Sequence, residues 1–329
     1  MKRALLLLAG AALASEPTKP EFHSYTTYAM GTVATVKLYA DDEATARRLA
    51  GTAFAELRRL EDIFTNYRDS ELTRLNRQAA DNPVRVSGDM YALVAESLAY
   101  WRKYQGTFDV TIGPAVRAWG FLGGPPRVPD ALELEKLRER IGMSGVDLDR
   151  SSGTIRFRRS GMELDFGGIA KGYAAEKAAR LLERAGVERA LIDFGESSFY
   201  ALGAPPGEKG WPVTVIDPRT PHQAAEFTRL PPFSALSTSG TYGRTFTKEG
   251  RTYSHLFDPR SAAPVNVEAS VTVICRSGSE SEAAAKAVLL LSPAKRRVLE
   301  GVEWLRLEVR NGALVRERSR AWPTVNARR

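Results

Sequence analysis

Helical spacings and strand alternations are interspersed along this chain without ever settling into a regular strand–helix–strand rhythm. A doubly wound parallel sheet needs that rhythm, so the pattern predicts an α+β fold with mixed or antiparallel sheets flanked by helices. Residues 25–40 alternate apolar and polar side chains and read as a strand pair or one long strand, after a polar lead-in over 15–23. Ala46, Leu49, Ala50, Ala53, Leu57 and Leu60 then recur at helical spacing. Residues 67–76 form a polar loop entering a helix, with Asp69 or Ser70 as its cap. Leu93, Val94, Leu98 and Trp101 mark another helix between a Ser87 cap and Gly106. A Gly/Pro-rich connector over 123–129 leads into a highly charged helix. Strand-like runs follow at 154–157, 162–166 and 190–194, with a helix over about 173–185 between the last two, stopped by Gly186. Further strands are expected at 213–216, 252–257 and 269–275, a helix at about 281–291, and terminal strands at 304–309 and 313–316. There is no internal repeat.

The chain has 329 residues, 43% hydrophobic and 26% charged, which supplies ample apolar material for a core and excludes a disordered tail, a collagen or a disulfide scaffold. The single cysteine, Cys275, lies in an apolar run and is expected to be a buried strand residue. With 47 Lys+Arg against 39 Asp+Glu the formal charge is +8, but no dense basic block with interleaved aromatics is present, so no nucleic-acid partner is inferred.

Met1-Lys-Arg3 is a basic start, residues 4–13 are apolar, and Ala12-Leu-Ala14 offers small residues at cleavage spacing. That is the layout of a secretory signal peptide over 1–14, cut after about Ala14. The apolar run is too short to span a bilayer, and no cysteine follows it to carry a lipid anchor. The expectation is an exported, periplasmic protein spanning 15–329, with 45 basic against 39 acidic residues and no transmembrane segment in the mature chain.

Three segments carry candidate chemistry. In Glu163-Leu-Asp-Phe-Gly-Gly-Ile-Ala-Lys-Gly-Tyr173, a strand bearing Asp165 meets a glycine pair and a helix opening near Lys171. Helix N-termini expose unpaired N–H groups that favour phosphate, and Lys171 adds a charge beside them. The same pattern also serves as a plain strand–turn–helix that needs glycines. Tyr253-Ser-His-Leu-Phe-Asp-Pro259 holds one of three histidines, the others being His23 and His222 in polar contexts. His255 is either a general base or a hydrogen-bonded structural histidine. On a strand it would share a face with Phe257, leaving Leu256 and Asp258 opposite. Phe108-Asp-Val-Thr-Ile-Gly-Pro114 places Asp109 among turn and aromatic residues. There it either binds ligand or builds a turn.

Taken in order, these and four further segments resemble the FAD:protein FMN transferases, the ApbE family. The others are Met30-Gly-Thr32, Phe64-Thr-Asn-Tyr-Arg-Asp-Ser-Glu-Leu72 with Arg74-Leu-Asn76, Phe194-Gly-Glu-Ser-Ser198 and Ser237-Thr-Ser-Gly240. The resemblance covers about residues 25–292. It implies a two-subdomain α+β architecture with FAD in a cleft between the parts. It also implies transfer of FMN from FAD to a threonine hydroxyl of an acceptor flavoprotein, with AMP as leaving group. By motif position, Met30, Tyr67, Thr107, Phe108, Asp109, Asp165, Lys171 and Leu256 would contact FAD. His255 would help deprotonate the threonine, with Asp258 nearby. Mg²⁺ would bridge pyrophosphate oxygens.

The metal motif departs from the family pattern. Its backbone carbonyl falls at Gly168, but the expected Asp is Glu282 and the expected Thr is Lys286. A charged lysine has no acceptor and is not a metal ligand. Ser279 with Glu282 fits a capping box, and Glu282 with Lys286 fits an i,i+4 helix pair. The Lys286 ammonium is expected to occupy part of the metal's space beside Glu282. Slow or metal-independent transfer is one outcome. A non-catalytic periplasmic FAD-binding protein with a degraded metal site is the other. Further departures are Phe194-Gly195 in place of a glycine pair, Glu176 in place of an Asp, and Ala262 where a glycine with positive φ is usual.

Overall fold

The computed structural model describes residues 20–220 and 223–323. The predicted signal segment and His222 lie outside the described residues. In chain order the helices are α1 (Glu43–Phe64), α2 (Glu71–Gln78), α3 (Gly88–Lys103), α4 (Gly113–Ala118), α5 (Ala131–Glu139), α6 (Ala170–Arg184), α7 (Gly278–Leu290) and α8 (Pro293–Arg297). The first strands are β1 (Glu21–Ala29), β2 (Thr32–Ala40), β3 (Val84–Arg85), β4 (Val146–Asp149), β5 (Thr154–Phe157), β6 (Ala190–Phe194) and β7 (Ser198–Leu202). Next come β8 (Trp211–Ile216), β9 (Ala224–Leu230), β10 (Ser234–Gly240), β11 (Thr245–Lys248) and β12 (Arg251–Ser254). The last are β13 (Phe257–Asp258), β14 (Ala263–Pro264), β15 (Ala269–Cys275), β16 (Glu303–Arg310) and β17 (Ala313–Arg318).

An eight-stranded sheet in the order β1-β2-β6-β7-β10-β15-β16-β17 forms the frame, and its neighbours pair antiparallel. Alternation along each strand sends side chains to two separate cores. Val36, Leu38, Ile192, Phe194, Tyr200, Val271 and Val273 pack with the apolar stripes of α1, α3, α6 and α7 on one face. Leu191, Phe199, Leu236, Ile274, Leu305 and Leu307 pack on the other with the β8–β9 hairpin and Trp322. A third, smaller cluster joins α4 and α5 to the β11–β12 hairpin through Trp119, Phe121, Leu137, Ile141 and Ala262. The α+β expectation holds, including the strand pair over 25–40. Met30 and Gly31 make its two-residue turn with φ of 49° and 76°, the left-handed geometry that suits the twist of a tight hairpin.

Several local expectations change. The lead-in is shorter than predicted, because Glu21 already pairs with Ala40. Residues 162–166 are not a strand. Leu164 donates its N–H to the Asn76 side chain at 2.8 Å and accepts back from it at 2.9 Å, so an amide side chain takes the place of a neighbouring strand. Only a single bridge, Ile112 to Glu163, remains. The strand expected at 252–257 breaks after Ser254, leaving His255 and Leu256 between β12 and β13, so the two-face argument for His255 fails. The cap of α7 is Ser277, whose side chain accepts from Glu280 N–H, and not Ser279. The cap of α2 is Ser70. Cys275 is buried on β15, and burial pushes its thiol above the ordinary range. Ala262 does take positive φ, 55°, while its carbonyl accepts the Trp119 indole N–H at 2.9 Å. No described helix is long and apolar enough to cross a membrane.

Candidate active site

The site starts from two glycines. Helices α6 and α7 cross where Gly172 meets Gly278, and a Cβ on either would lie 2.0 Å from the other's carbonyl oxygen. Only glycine allows so close an approach. Glu176 reinforces it by accepting the Gly278 N–H at 2.8 Å. The crossing lays Glu282 of α7 over the first turn of α6. The Glu282 carboxylate is closed on both oxygens: Ser198 Oγ donates to Oε1 at 2.6 Å and Lys286 Nζ to Oε2 at 2.7 Å. The Glu282 and Lys286 side chains are only 4% and 16% exposed, so this pair is a buried one and not the surface pair its spacing suggested. Lys286 Cε passes 3.0 Å from where a Gly168 Cβ would stand. Next to it, Lys171 Nζ donates to Ser197 Oγ at 2.8 Å.

Burial alone would raise the Glu282 carboxyl, but the Lys286 and Lys171 charges and its hydrogen bonds hold it below the usual range. Burial pulls the Lys171 ammonium down, as does the like charge of Lys286, while Glu282 opposes them.

Two aspartates stand on the adjoining wall. Asp165 accepts Gly167 N–H at 2.8 Å and Asn66 Nδ2–H at 3.2 Å. Asp109, 5% exposed, accepts Thr111 N–H at 2.8 Å, Thr111 Oγ–H at 2.5 Å and Met143 N–H at 3.1 Å. Burial raises both carboxyls. Asp109 thus closes its own turn, and its oxygens are directed at protein N–H and O–H groups. Thr107 is likewise occupied, donating to Tyr104 O at 2.7 Å.

The mouth is different. His255, an exposed residue, lies in the gap between β12 and β13 and lines the cavity, where protein still crowds its ring. Its Nδ1 is 3.1 Å from the Arg244 carbonyl oxygen, which can only accept. Nδ1 therefore carries the proton and Nε2 keeps a free lone pair. Surrounding protein, with the nearby charges of Lys286, Arg244 and Lys171, pushes the imidazole down to about 4. It is neutral at physiological pH. The Arg244 guanidinium reaches Tyr67 Oη at 3.4 Å, and Tyr67 is 74% exposed.

Floor, wall and mouth enclose one cavity of about 970 Å³ where the smallest hydrophobic cluster meets the largest. It gathers Met30, Tyr67, Thr107, Phe108, Asp109, Asp165, Gly168, Lys171, His255, Leu256, Glu282 and Lys286. Asp258 is not among them. Its carboxylate turns to Arg260, accepting the backbone N–H and two guanidinium N–H groups at 2.6–3.0 Å. Sequence reasoning missed Asn66, Ser197 and Arg244. Asn66 and Ser197 lie inside quoted motifs, which was a usable signal. Arg244 has none, since it reaches the site on the connection between β10 and β11, which lines the cavity with Tyr242 and Gly243.

The ApbE family model matches residues 30–307, most of the chain. The chain belongs to the ApbE family. A FAD:protein FMN transferase of Klebsiella pneumoniae strain 342 is 34% identical over 256 residues, 77% of each chain. A second from the same strain is 30% identical over 302 residues, 89% of this chain and 85% of that one. The apo flavinyl transferase ApbE of Pseudomonas stutzeri superposes with a TM-score of 0.82 at 27% identity, covering 93% of this chain and 97% of that one. An ApbE protein of Thermotoga maritima superposes at 0.81, also at 27% identity.

The residues at the family's metal position do not fit a divalent cation. Mg²⁺ needs several oxygen ligands. Here the one carboxylate is engaged on both oxygens by Ser198 and Lys286, and an ammonium stands where the resemblance implies a third ligand. Among the described residues no group of three or more His, Cys, Asp or Glu side chains is arranged to hold a metal.

Proposed function

We propose that this ApbE-family protein transfers FMN from FAD to a threonine hydroxyl of an acceptor flavoprotein and releases AMP. One observation carries the reading: His255 presents a neutral Nε2 with a free lone pair, in a cavity whose floor holds two ammonium groups. The threonine Oγ attacks the FMN phosphorus, its proton passes to His255 Nε2, and the bond to the AMP oxygen breaks. The Arg244 carbonyl fixes the imidazole tautomer and stabilises the imidazolium that forms. Lys171 and Lys286 face the pyrophosphate and offset the charge that grows on the leaving AMP. A cavity of about 970 Å³ is of a size to take a dinucleotide. The signal-like N-terminus supports a periplasmic setting, where the acceptor would be another exported flavoprotein.

The test is mass spectrometry of a threonine-bearing acceptor domain after incubation with the mature protein and FAD, with AMP measured in the same tube. A covalent FMN adduct with matching AMP, lost in His255→Ala, supports the reading. Bound FAD with neither adduct nor AMP would favour the non-catalytic flavin-binding alternative.

A further inference from the structure

We propose that Lys286 takes the place of the metal ion, so that a diphosphate ligand docks directly on the Lys171 and Lys286 ammonium groups with no divalent cation between them. This rests on the reading of the cavity as a site for a flavin dinucleotide. The floor holds two cations and one carboxylate, a net single positive charge in a poorly hydrated place. Both carboxylate oxygens are already engaged, Oε1 by Ser198 at 2.6 Å and Oε2 by Lys286 at 2.7 Å. The ammonium groups do have capacity. Each has three donors, and among the described residues Lys286 gives one to Glu282 and Lys171 one to Ser197.

An incoming divalent cation would meet two positive charges and a single carboxylate already engaged by Ser198 and Lys286, whereas a pyrophosphate would meet unused donors of the right sign. Glu282 then has a different task from a metal ligand. It anchors Lys286 by its i,i+4 bond and aims the ammonium over Gly168, where a side chain would collide with the lysine stem 3.0 Å away.

The experiment measures binding and leaves turnover aside. FAD binding to the wild-type protein is titrated by flavin fluorescence in EDTA and in excess Mg²⁺, and Mn²⁺ is added as a paramagnetic probe of the metal position. Affinity within about two-fold across the two buffers, with no FAD-dependent bound Mn²⁺, is expected. Loss of FAD binding in EDTA, or stoichiometric Mn²⁺ bound with FAD, overturns the proposal. The double variant Glu282→Asp with Lys286→Thr should bind FAD at least about ten-fold more weakly in EDTA and recover in Mg²⁺. Lys286→Arg should keep metal-free binding. A folded double variant that still binds FAD in EDTA as tightly as wild type also overturns it. If that variant does not fold, the two wild-type arms decide. Inorganic pyrophosphate, titrated in EDTA, separates the two readings. Pyrophosphate bound with FAD excluded defeats the flavin reading and leaves the floor assignment standing. Metal-free FAD binding without AMP release defeats only the transferase. Neither ligand bound in EDTA defeats the floor assignment.

Discussion

The floor and the rim of the cavity each hold a carboxylate paired with a basic residue a few positions along the chain. Glu282 meets Lys286 at 2.7 Å with both side chains nearly out of solvent, at 4% and 16% exposure. Asp258 meets Arg260 at 2.6 Å with 22% and 56% exposed. The rim pair is a guanidinium on both oxygens and the floor pair an ammonium on one, but burial is the difference that matters more for stability. In water the rim pair gains little, because both ions are well hydrated when apart. At the floor, removing Glu282 strands two ammonium groups, and removing Lys286 leaves the buried carboxylate only Ser198 and the Lys171 charge to offset it. The floor pair is therefore part of the frame as well as the site, while the rim pair shapes a turn.

The largest effect is expected from Lys286→Met. It leaves the buried Glu282 carboxylate with the Ser198 hydrogen bond and the Lys171 charge but without its direct partner, and a loss of about 3 kcal/mol in urea unfolding is expected. Removing both charges with Glu282→Gln and Lys286→Met should recover most of that. A single-variant loss under about 1 kcal/mol would make the floor as wet as the rim, and the distinction would collapse. Next in size is His255→Ala, expected to slow FMN transfer by at least about 100-fold while FAD affinity stays within a few-fold. Its pH dependence follows from the same group. The neutral imidazole is the working form, so transfer should hold as pH falls through 6.5 and fail only as pH approaches about 4. Because the folded-state value is depressed, the unfolded chain binds the extra proton first, and His255's contribution to stability declines between about 6.5 and about 4. An acid limb near 6.5 in kcat/KM would show that neither the surrounding protein nor the nearby cations depress His255.

Much of this was legible in the chain, for identifiable reasons. The stripe from Ala46 to Leu60 is the buried face of α1, and Ser87 caps α3 as read, because both depend only on local spacing. Residues 162–166 misled because an alternating apolar run does not reveal that its partner is the side chain of Asn76. The break at His255 was hidden for a similar reason. Leu256 leaves the strand pattern to donate to Ser254 Oγ at 3.4 Å, a local serine turn, and to accept from Val265 N–H at 2.7 Å, a contact with no local signature. Glu282 and Lys286 were paired correctly from i,i+4 spacing, but spacing says nothing of burial. What buries them is the Gly172–Gly278 crossing, about a hundred residues apart in sequence.

That crossing supplies the third test. Gly172→Ala places a methyl group against the Gly278 carbonyl and within 2.8 Å of Glu282 Cγ, so the helices must part. A loss of about 1–3 kcal/mol is expected, with weaker FAD binding because Lys171 and Lys286 separate. Equal stability would mean that the floor tolerates slack, and the positions of its charges would then not be set by packing.

The smallest effect belongs to the rim. Asp258→Asn keeps the oxygen that accepts the Arg260 backbone N–H and gives up the charge facing the guanidinium. Since the pair is largely solvated, stability should change by no more than about 1 kcal/mol. FMN transfer should stay within about two-fold of wild type, because the carboxylate points away from the cavity and makes no hydrogen bond to His255. The decisive comparison is with His255→Ala in the same assay. A ten-fold fall for Asp258→Asn with unchanged FAD affinity would mean that the turn at 258–262 positions the imidazole three residues upstream. The rim pair would then belong with the floor, and exposure would be the wrong criterion for telling structural ion pairs from working ones in this cavity.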